Sequence, residues 1–289
     1  MEVTIKLNKL NSIYEFKEYM LNEKDNIDLE LEHIQKNVLK KNHNPKFKNF
    51  KVKGYSWSAQ KELFFECKYP PDKKKPINWR ETIRCPETGL NNRARYSTMI
   101  IDLYGNVGSN SKIYLMEQKT PLYKYLKKKY VNLIGSEYFG DTLPLGSCND
   151  KGIRNEDATN LSFETNSLDL ILSFDVFEHI PKFEEAFKEC YRTLNNNGYL
   201  LFSVPFQLNS EKNKIRAKAN NDGTIHHILE PEYHGDPINN EGILCFQNFG
   251  WEILNNLKDS GFDDAYIIIG SSIPLGNFGK QVVVIAKKS

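Results

Sequence analysis

The sequence predicts an α/β protein built on a doubly wound sheet, and three observations carry that expectation. The first is the stretch from Ser167 to Phe206. Leu168, Leu170, Ile171 and Leu172 make an apolar run too short for a helix and ending in Ser173-Phe174-Asp175, the pattern of a buried parallel strand. The loop FDVFEHI follows and stops at Pro181, a residue suited to the first position of a helix. Phe183, Phe187, Cys190 and Leu194 then recur at helical spacing. Asn195-Asn196-Asn197-Gly198 turns the chain, with the glycine placed where a left-handed residue is wanted, into a second strand, YLLFSVPF. The second observation is an earlier strand–helix–strand passage between Ile113 and Glu137, and the third is an acid at successive strand ends.

Composition narrows the class. The 289 residues allow one large domain or a domain with an appendage, and 39% hydrophobic and 12% aromatic residues suffice for a core. A net charge of +2 gives no electrostatic case for nucleic acid. The opening MEVTIKLNKLNSIYEF has no uninterrupted apolar segment, so no signal peptide is expected, and nothing later approaches a membrane span. Five scattered cysteines, an odd number, fit reduced thiols in a cytoplasm.

Residues 1–60 read as a helical and basic accessory region. Ser12-Ile13-Tyr14-Glu15 has capping-box spacing before a short helix, and Asn26 could cap a second one carrying Ile27, Leu31, Ile34 and Val38. In PKFKNFKVKG, Phe47, Phe50 and Val52 alternate with lysines. This is either a basic grip on an anion or a membrane surface or, the favoured reading, an edge strand guarded by lysine. Residues 61–110 read as a connector with substrate contacts. Cys67 and Cys85 look like half of a zinc knuckle, but Thr88 stands where another cysteine is needed, so no metal is assigned. Arg93 and Arg95 could fork onto a phosphate or carboxylate, or equally cap helices and pair with acids. A helix is expected from Ala94 to Tyr104.

Residues 111–289 carry the sheet. Ile113 to Met116 form the first strand, tipped by Glu117; Thr120-Pro121 caps a helix; and Val131 to Ser136 form the second strand, tipped by Glu137. Asp157 lies ahead of the Leu168 strand. Carboxylates at successive strand ends are what a nucleoside site needs, since they accept from ribose hydroxyls and from an adenine amino group. An insert, 205–247, interrupts the sheet and concentrates Arg216, His226, His227, Glu230, Glu232, Tyr233, His234, Asp236 and Cys245. That much ionisable chemistry exceeds the needs of a surface loop. His227 or His234 could act as a base with Asp236 or Glu232 orienting the ring; His227, His234 and Asp236 also have the right types for a metal; a loop locked by its own hydrogen bonds is the third reading. Asn248 can cap a helix stopped by Gly261, and two β-branched runs, 265–270 and 281–287, end the chain.

The stretch DLILSFDVFEHI, a helix and LNNNGYLLFSVPF closely resemble the fourth- and fifth-strand motifs of class I S-adenosylmethionine-dependent methyltransferases. More narrowly, YLMEQKTPLY, NLIGSEY, FSVPF, PEYHGDP and FGWEIL resemble a bacterial subfamily found among surface-polysaccharide (capsule) biosynthesis enzymes, over about residues 78–287. The resemblance implies a seven-stranded Rossmann-like sheet with its last strand antiparallel and S-adenosylmethionine as cofactor. Glu137 would hold the ribose with Tyr138 beside it, and Asp157 would hold the adenine amino group with Ala158 against the base. Gly135 and Ser136 would admit the backbone close to the cofactor, and Asp175 and Val176 would flank the sulfonium. The usual glycine-rich loop after the first strand is absent, which leaves the amino-acid end to the Glu117 and Gln118 side chains or marks a lost cofactor. His179 would be a base or, the favoured reading, a structural histidine. The implied reaction is O-methylation of a small sugar, sugar nucleotide or phospho-compound, with Arg93, Arg95, Arg216 and Tyr233 toward the acceptor. Methylation of nitrogen or of a macromolecule, and a non-catalytic binding module, stand as alternatives, and monomer or homodimer is left open.

Overall fold

The apolar run at 168–174 becomes the strand Leu168–Phe174, and all but one of its residues are buried because parallel strands are covered on both faces. The computed structural model describes residues 6–23, 49–69, 77–220, 222–235 and 242–289. The helix expected at 27–38, the lysine stretch 45–48 and Asp236 lie outside these residues. Seven strands form one sheet, in the order Lys6–Leu10, Asp264–Ser272, Asn277–Lys287, Leu194–Ser203, Leu168–Phe174, Ile113–Leu115, Leu133–Gly135. The pairings from Leu133–Gly135 through Ile113–Leu115 and Leu168–Phe174 to Leu194–Ser203 are parallel. The strand Asn277–Lys287 runs antiparallel to Leu194–Ser203. This is the Rossmann-like methyltransferase sheet. The stretch around Asp157 forms isolated bridges, among them Glu137 to Asn155, and Lys6–Leu10 is the seventh strand.

The chain divides into two compact units: residues 1–10, 14–106 and 268–282, and residues 11–13, 107–267 and 283–289. In the first, Asn49–Ser56, Lys61–Lys68 and Ile83–Arg84 form a three-stranded sheet with Asn49–Ser56 at an edge. Lys51 and Lys53 pair across the strands with Glu66 and Glu62, so the lysine alternation is that of a solvated edge. Cys67 and Cys85 are fully buried beside Phe50, Phe65 and Phe278. The helix Asn92–Tyr104 starts ahead of Ala94 because the Asn91 side chain caps the Ala94 N–H.

The second unit holds the four parallel strands and the helix Phe183–Thr193, which buries Phe183, Ala186, Phe187 and Cys190. Phe187 packs against Phe177, Phe183 and Phe202, with ring centroids 4.9, 5.6 and 5.8 Å apart. Two expectations change. The left-handed residue of the turn is Asn197, at φ +63°, whereas Gly198 is small because a side chain there would meet Asn195 O and Asp169 O. Asn248 does not cap a helix; it lies in a two-residue strand, and the helix runs Ile253–Asp259 after Glu252.

The aromatic cluster supports the turn that follows Leu168–Phe174, so Phe187→Ala should lower unfolding free energy by about 3–5 kcal/mol in urea denaturation. A loss under about 1 kcal/mol would mean that the cluster is not close-packed.

Candidate active site

At the carboxyl ends of the strands, the Glu137 carboxylate accepts hydrogen bonds from the backbone N–H groups of Gln118 and Lys119 at 2.9 and 2.8 Å, both on Oε1. The glycine-free loop is therefore held by Glu137 itself, while Oε2 makes no hydrogen bond among the described residues. Asp157 behaves alike: Oδ1 accepts from the Thr159 N–H and hydroxyl at 2.8 and 2.7 Å, and Oδ2 is left over. Tyr138 is 66% exposed and close enough to Asp157 and Asp141 for their charges to raise its phenol pKa further, after burial. One carboxylate oxygen of Glu137 and one of Asp157 are thus uncommitted, with the exposed Tyr138 ring close to Asp157. Ala158 is half-buried next to Asp157.

Other residues assigned to the cofactor have different employment. The Gln118 amide is spent on the neighbouring loop, donating to Gly152 O and accepting from Arg154 N, both at 2.9 Å, so it does not reach for the methionine end. Glu117 is half-buried at its strand tip. Gly135 admits protein rather than cofactor, since a Cβ there would strike the Tyr123 ring and Glu117 O. Ser136 is buried, its hydroxyl 2.7 Å from the Tyr114 hydroxyl. Asp175 sits at φ +59° and accepts from the Ser203 hydroxyl at 2.9 Å, which fixes the strand end; half-buried Val176 precedes the turn.

That short 3-10 turn, Phe177–His179, carries a group the sequence reading passed over. Glu178 is fully buried, and neither carboxylate oxygen has a hydrogen-bond partner. Phe177 inserts into the aromatic cluster and forces the next side chain the other way, toward the insert. The returning segment of the insert wraps the turn: Phe246 N donates to Glu178 O at 2.8 Å, and Gln247 Nε2 donates to Phe177 O at 2.7 Å and Ile180 O at 3.0 Å. His179 Nδ1 lies 2.8 Å from Leu244 O, and its Nε2 lies 3.7 Å from Glu178 Oε1. His234 Nδ1 approaches the same Oε1 at 3.6 Å, while its Nε2 is 3.1 Å from Glu232 Oε1. The two imidazoles meet edge to face, ring centroids 5.0 Å apart. Burial pushes the Glu178 carboxyl above its ordinary pKa, against the pull of His234 and His179. The Glu178 carboxylate, then Glu232, raise that of His234.

Of the proposed bases, the structure brings His234 to His179 and leaves His227 apart. His227 is exposed on a hairpin opposite Ala217 and makes no side-chain hydrogen bond or ion pair among the described residues. Glu232 Oε1 lies 3.1 Å from His234 Nε2. Arg216 is not an open substrate arm: it bonds Asn248 Oδ1 at 3.0 Å and Glu230 O at 2.7 Å and pairs with Glu232 at 3.2 Å. Arg95 is also withdrawn from solvent, bonding Gly276 O at 2.6 Å and stacking on Phe65, with burial pulling its pKa down to about 10. Arg93 is bound to Glu81 at 3.0 Å. Tyr233 is 59% exposed. The signal for Glu178 was an acid beside Phe177 and His179 in FDVFEHI; only the buried turn reveals its setting.

Residues 121–202 match the family model described as a methyltransferase domain. None of the curated proteins matches the chain. Among solved structures, it is similar to an S-adenosylmethionine-dependent methyltransferase from Listeria monocytogenes, with 12% identity and a TM-score of 0.42 over 67% of this chain and 99% of that one. A methyltransferase from Mesorhizobium loti gives 15% and 0.40 over 68% and 98%. Phosphoethanolamine N-methyltransferase 2 of Haemonchus contortus gives 14% and 0.37 over 60% and 37%. The domain match lies across the parallel strands, so residues 121–202 carry a methyltransferase domain, and S-adenosylmethionine is the methyl donor such a domain uses.

Proposed function

We propose that the chain methylates an oxygen of a small hydroxylated acceptor. The acceptor class implied by the sequence resemblance is a sugar, sugar nucleotide or phospho-compound destined for a bacterial surface polysaccharide. The observation that supports an oxygen nucleophile is the buried Glu178 with His179 and His234 against it, at the end of the sheet where ligands enter. S-adenosylmethionine supplies an electrophilic methyl group on a sulfonium. The uncommitted oxygens of Glu137 and Asp157 would hold its nucleoside. Asp175, with its backbone fixed by Ser203, would place the reacting end beside the turn. The cluster of Glu178, His179 and His234 faces the acceptor hydroxyl, and the hydroxyl proton passes to the Glu178 carboxylate as the oxygen attacks. The oxygen lone pair forms the new C–O bond as the C–S bond breaks, and that electron pair stays on sulfur. The insert 205–247 supplies His234, Glu232 and Arg216 and is proposed as the acceptor-selecting part; residues 1–60 are proposed as an accessory region. Among the described residues no helix is long and apolar enough to cross a membrane.

Calorimetric titration with S-adenosylhomocysteine should give one site per chain. Asp157→Ala and Glu137→Ala should each weaken it about tenfold or more, since a hydrogen bond to a charged group is worth about 1.5–3 kcal/mol. No heat with the wild-type chain would favour the non-catalytic binding module. With radiolabelled S-adenosylmethionine and a panel of nucleotide sugars and sugar phosphates, Glu178→Gln should lose at least about a hundredfold in turnover at unchanged S-adenosylhomocysteine affinity. His227→Ala should stay within about twofold of wild type; equal activity of the wild type and Glu178→Gln would remove Glu178 from the reaction.

A further inference from the structure

We infer that Glu178, His179 and His234 form a binding site for a divalent transition-metal ion of the zinc class, with an open coordination position facing the acceptor. One donor atom from each of the three lies within 4.8 Å of the others. The arrangement is that of a ligand shell rather than of a hydrogen-bonded cluster. Both inner imidazole nitrogens approach the same Glu178 oxygen at 3.7 and 3.6 Å. These gaps exceed a hydrogen bond. They are near the separation of about 3.3 Å between two ligand atoms bonded tetrahedrally at about 2.0–2.1 Å to one small cation. The carboxylate is fully buried with neither oxygen hydrogen-bonded, a costly state that a cation would relieve.

The outer nitrogens are held as metal-binding histidines require. His179 Nδ1 is anchored on the Leu244 carbonyl and His234 Nε2 on the Glu232 carboxylate, which leaves His179 Nε2 and His234 Nδ1 turned inward. Arg216 in turn holds Glu232 at 3.2 Å. Two imidazoles and one carboxylate suit zinc, cobalt or ferrous iron and leave a place for an exchangeable oxygen ligand. A second donor set, Glu232, His234 and Cys245, uses the same histidine, but its sulfur is engaged with Gln247 O at 3.2 Å and Asn248 Nδ2 at 3.7 Å. The site stands on this geometry alone. Its role, taking the acceptor hydroxyl in the open position and lowering its pKa, rests on the methyl-transfer reading above.

The test uses the full chain after chelator treatment, titrated with cobalt(II) and then zinc(II). We expect one cobalt per chain, visible ligand-field absorption of a four- or five-coordinate ion, and its loss as zinc displaces it. Glu178→Gln, His179→Ala and His234→Ala should each weaken binding more than about tenfold, as should Glu232→Gln through His234, while His227→Ala leaves it unchanged. Circular dichroism checks that each variant is folded. Failure to bind cobalt or zinc stoichiometrically, binding untouched by Glu178→Gln and His179→Ala, or a thiolate-to-cobalt charge-transfer band would overturn the assignment. Calorimetry with S-adenosylhomocysteine on the same metal-free protein separates the two claims. Cofactor binding without metal binding removes only the metal; metal binding without cofactor binding removes the methyl-transfer reading and leaves the site.

Discussion

The burial of one carboxylate organises the functional half of this molecule. Glu178 sits between Phe177, locked into an aromatic cluster, and His179, tied to the returning segment of the insert. A buried carboxyl without hydrogen bonds must be compensated by neighbouring charge or by its own protonation. The insert supplies the compensation in His234, so the turn and the insert are energetically coupled. Gln247 reinforces the coupling by bonding two carbonyls of the turn, and Glu232 and Arg216 carry it outward into the insert. Residues 232–234 and 244–247 of the insert are thus pinned to the turn by polar contacts whose partners are buried or half-buried.

The same economy governs the cofactor end. Without glycines after the first strand, the backbone amides of Gln118 and Lys119 need an acceptor, and Glu137 provides it across from the next strand. One carboxylate therefore shapes the loop with a single oxygen and leaves the other uncommitted. Asp157 divides its oxygens in the same way, with Thr159 taking the first. Gly135 serves the protein too, since the ring of Tyr123 occupies the space its missing side chain leaves. The departure from a glycine-rich loop is thus accommodated inside the fold rather than left as a defect.

The first unit shows how the same residue types serve structure alone. Arg95 looks like a phosphate fork in sequence, yet its guanidinium stacks 4.0 Å from the Phe65 ring centroid and bonds Gly276 O. Cys67 and Cys85 share that apolar surrounding, and burial pushes the Cys67 thiol up to about 12, which keeps it protonated.

The parallel strands, the helices between them and the acids that follow the strands Ile113–Leu115 and Leu133–Gly135 were legible in the sequence, because apolar periodicity and turn chemistry are local properties of the chain. Thr120 capping the helix Pro121–Lys129 and the buried run of Leu168–Phe174 follow from spacing alone. The density of ionisable residues in the insert was legible too, and His234 and Glu232 meet there. Tertiary structure decided what distance along the chain conceals. His179 and His234 are brought edge to face around Glu178, His227 remains on an exposed hairpin seven positions away in sequence, and Arg216 and Arg95 turn inward as structural cations. Residue type announces that a side chain can be charged; only packing against distant elements decides whether that charge is buried, and burial is what gives Glu178 its chemistry.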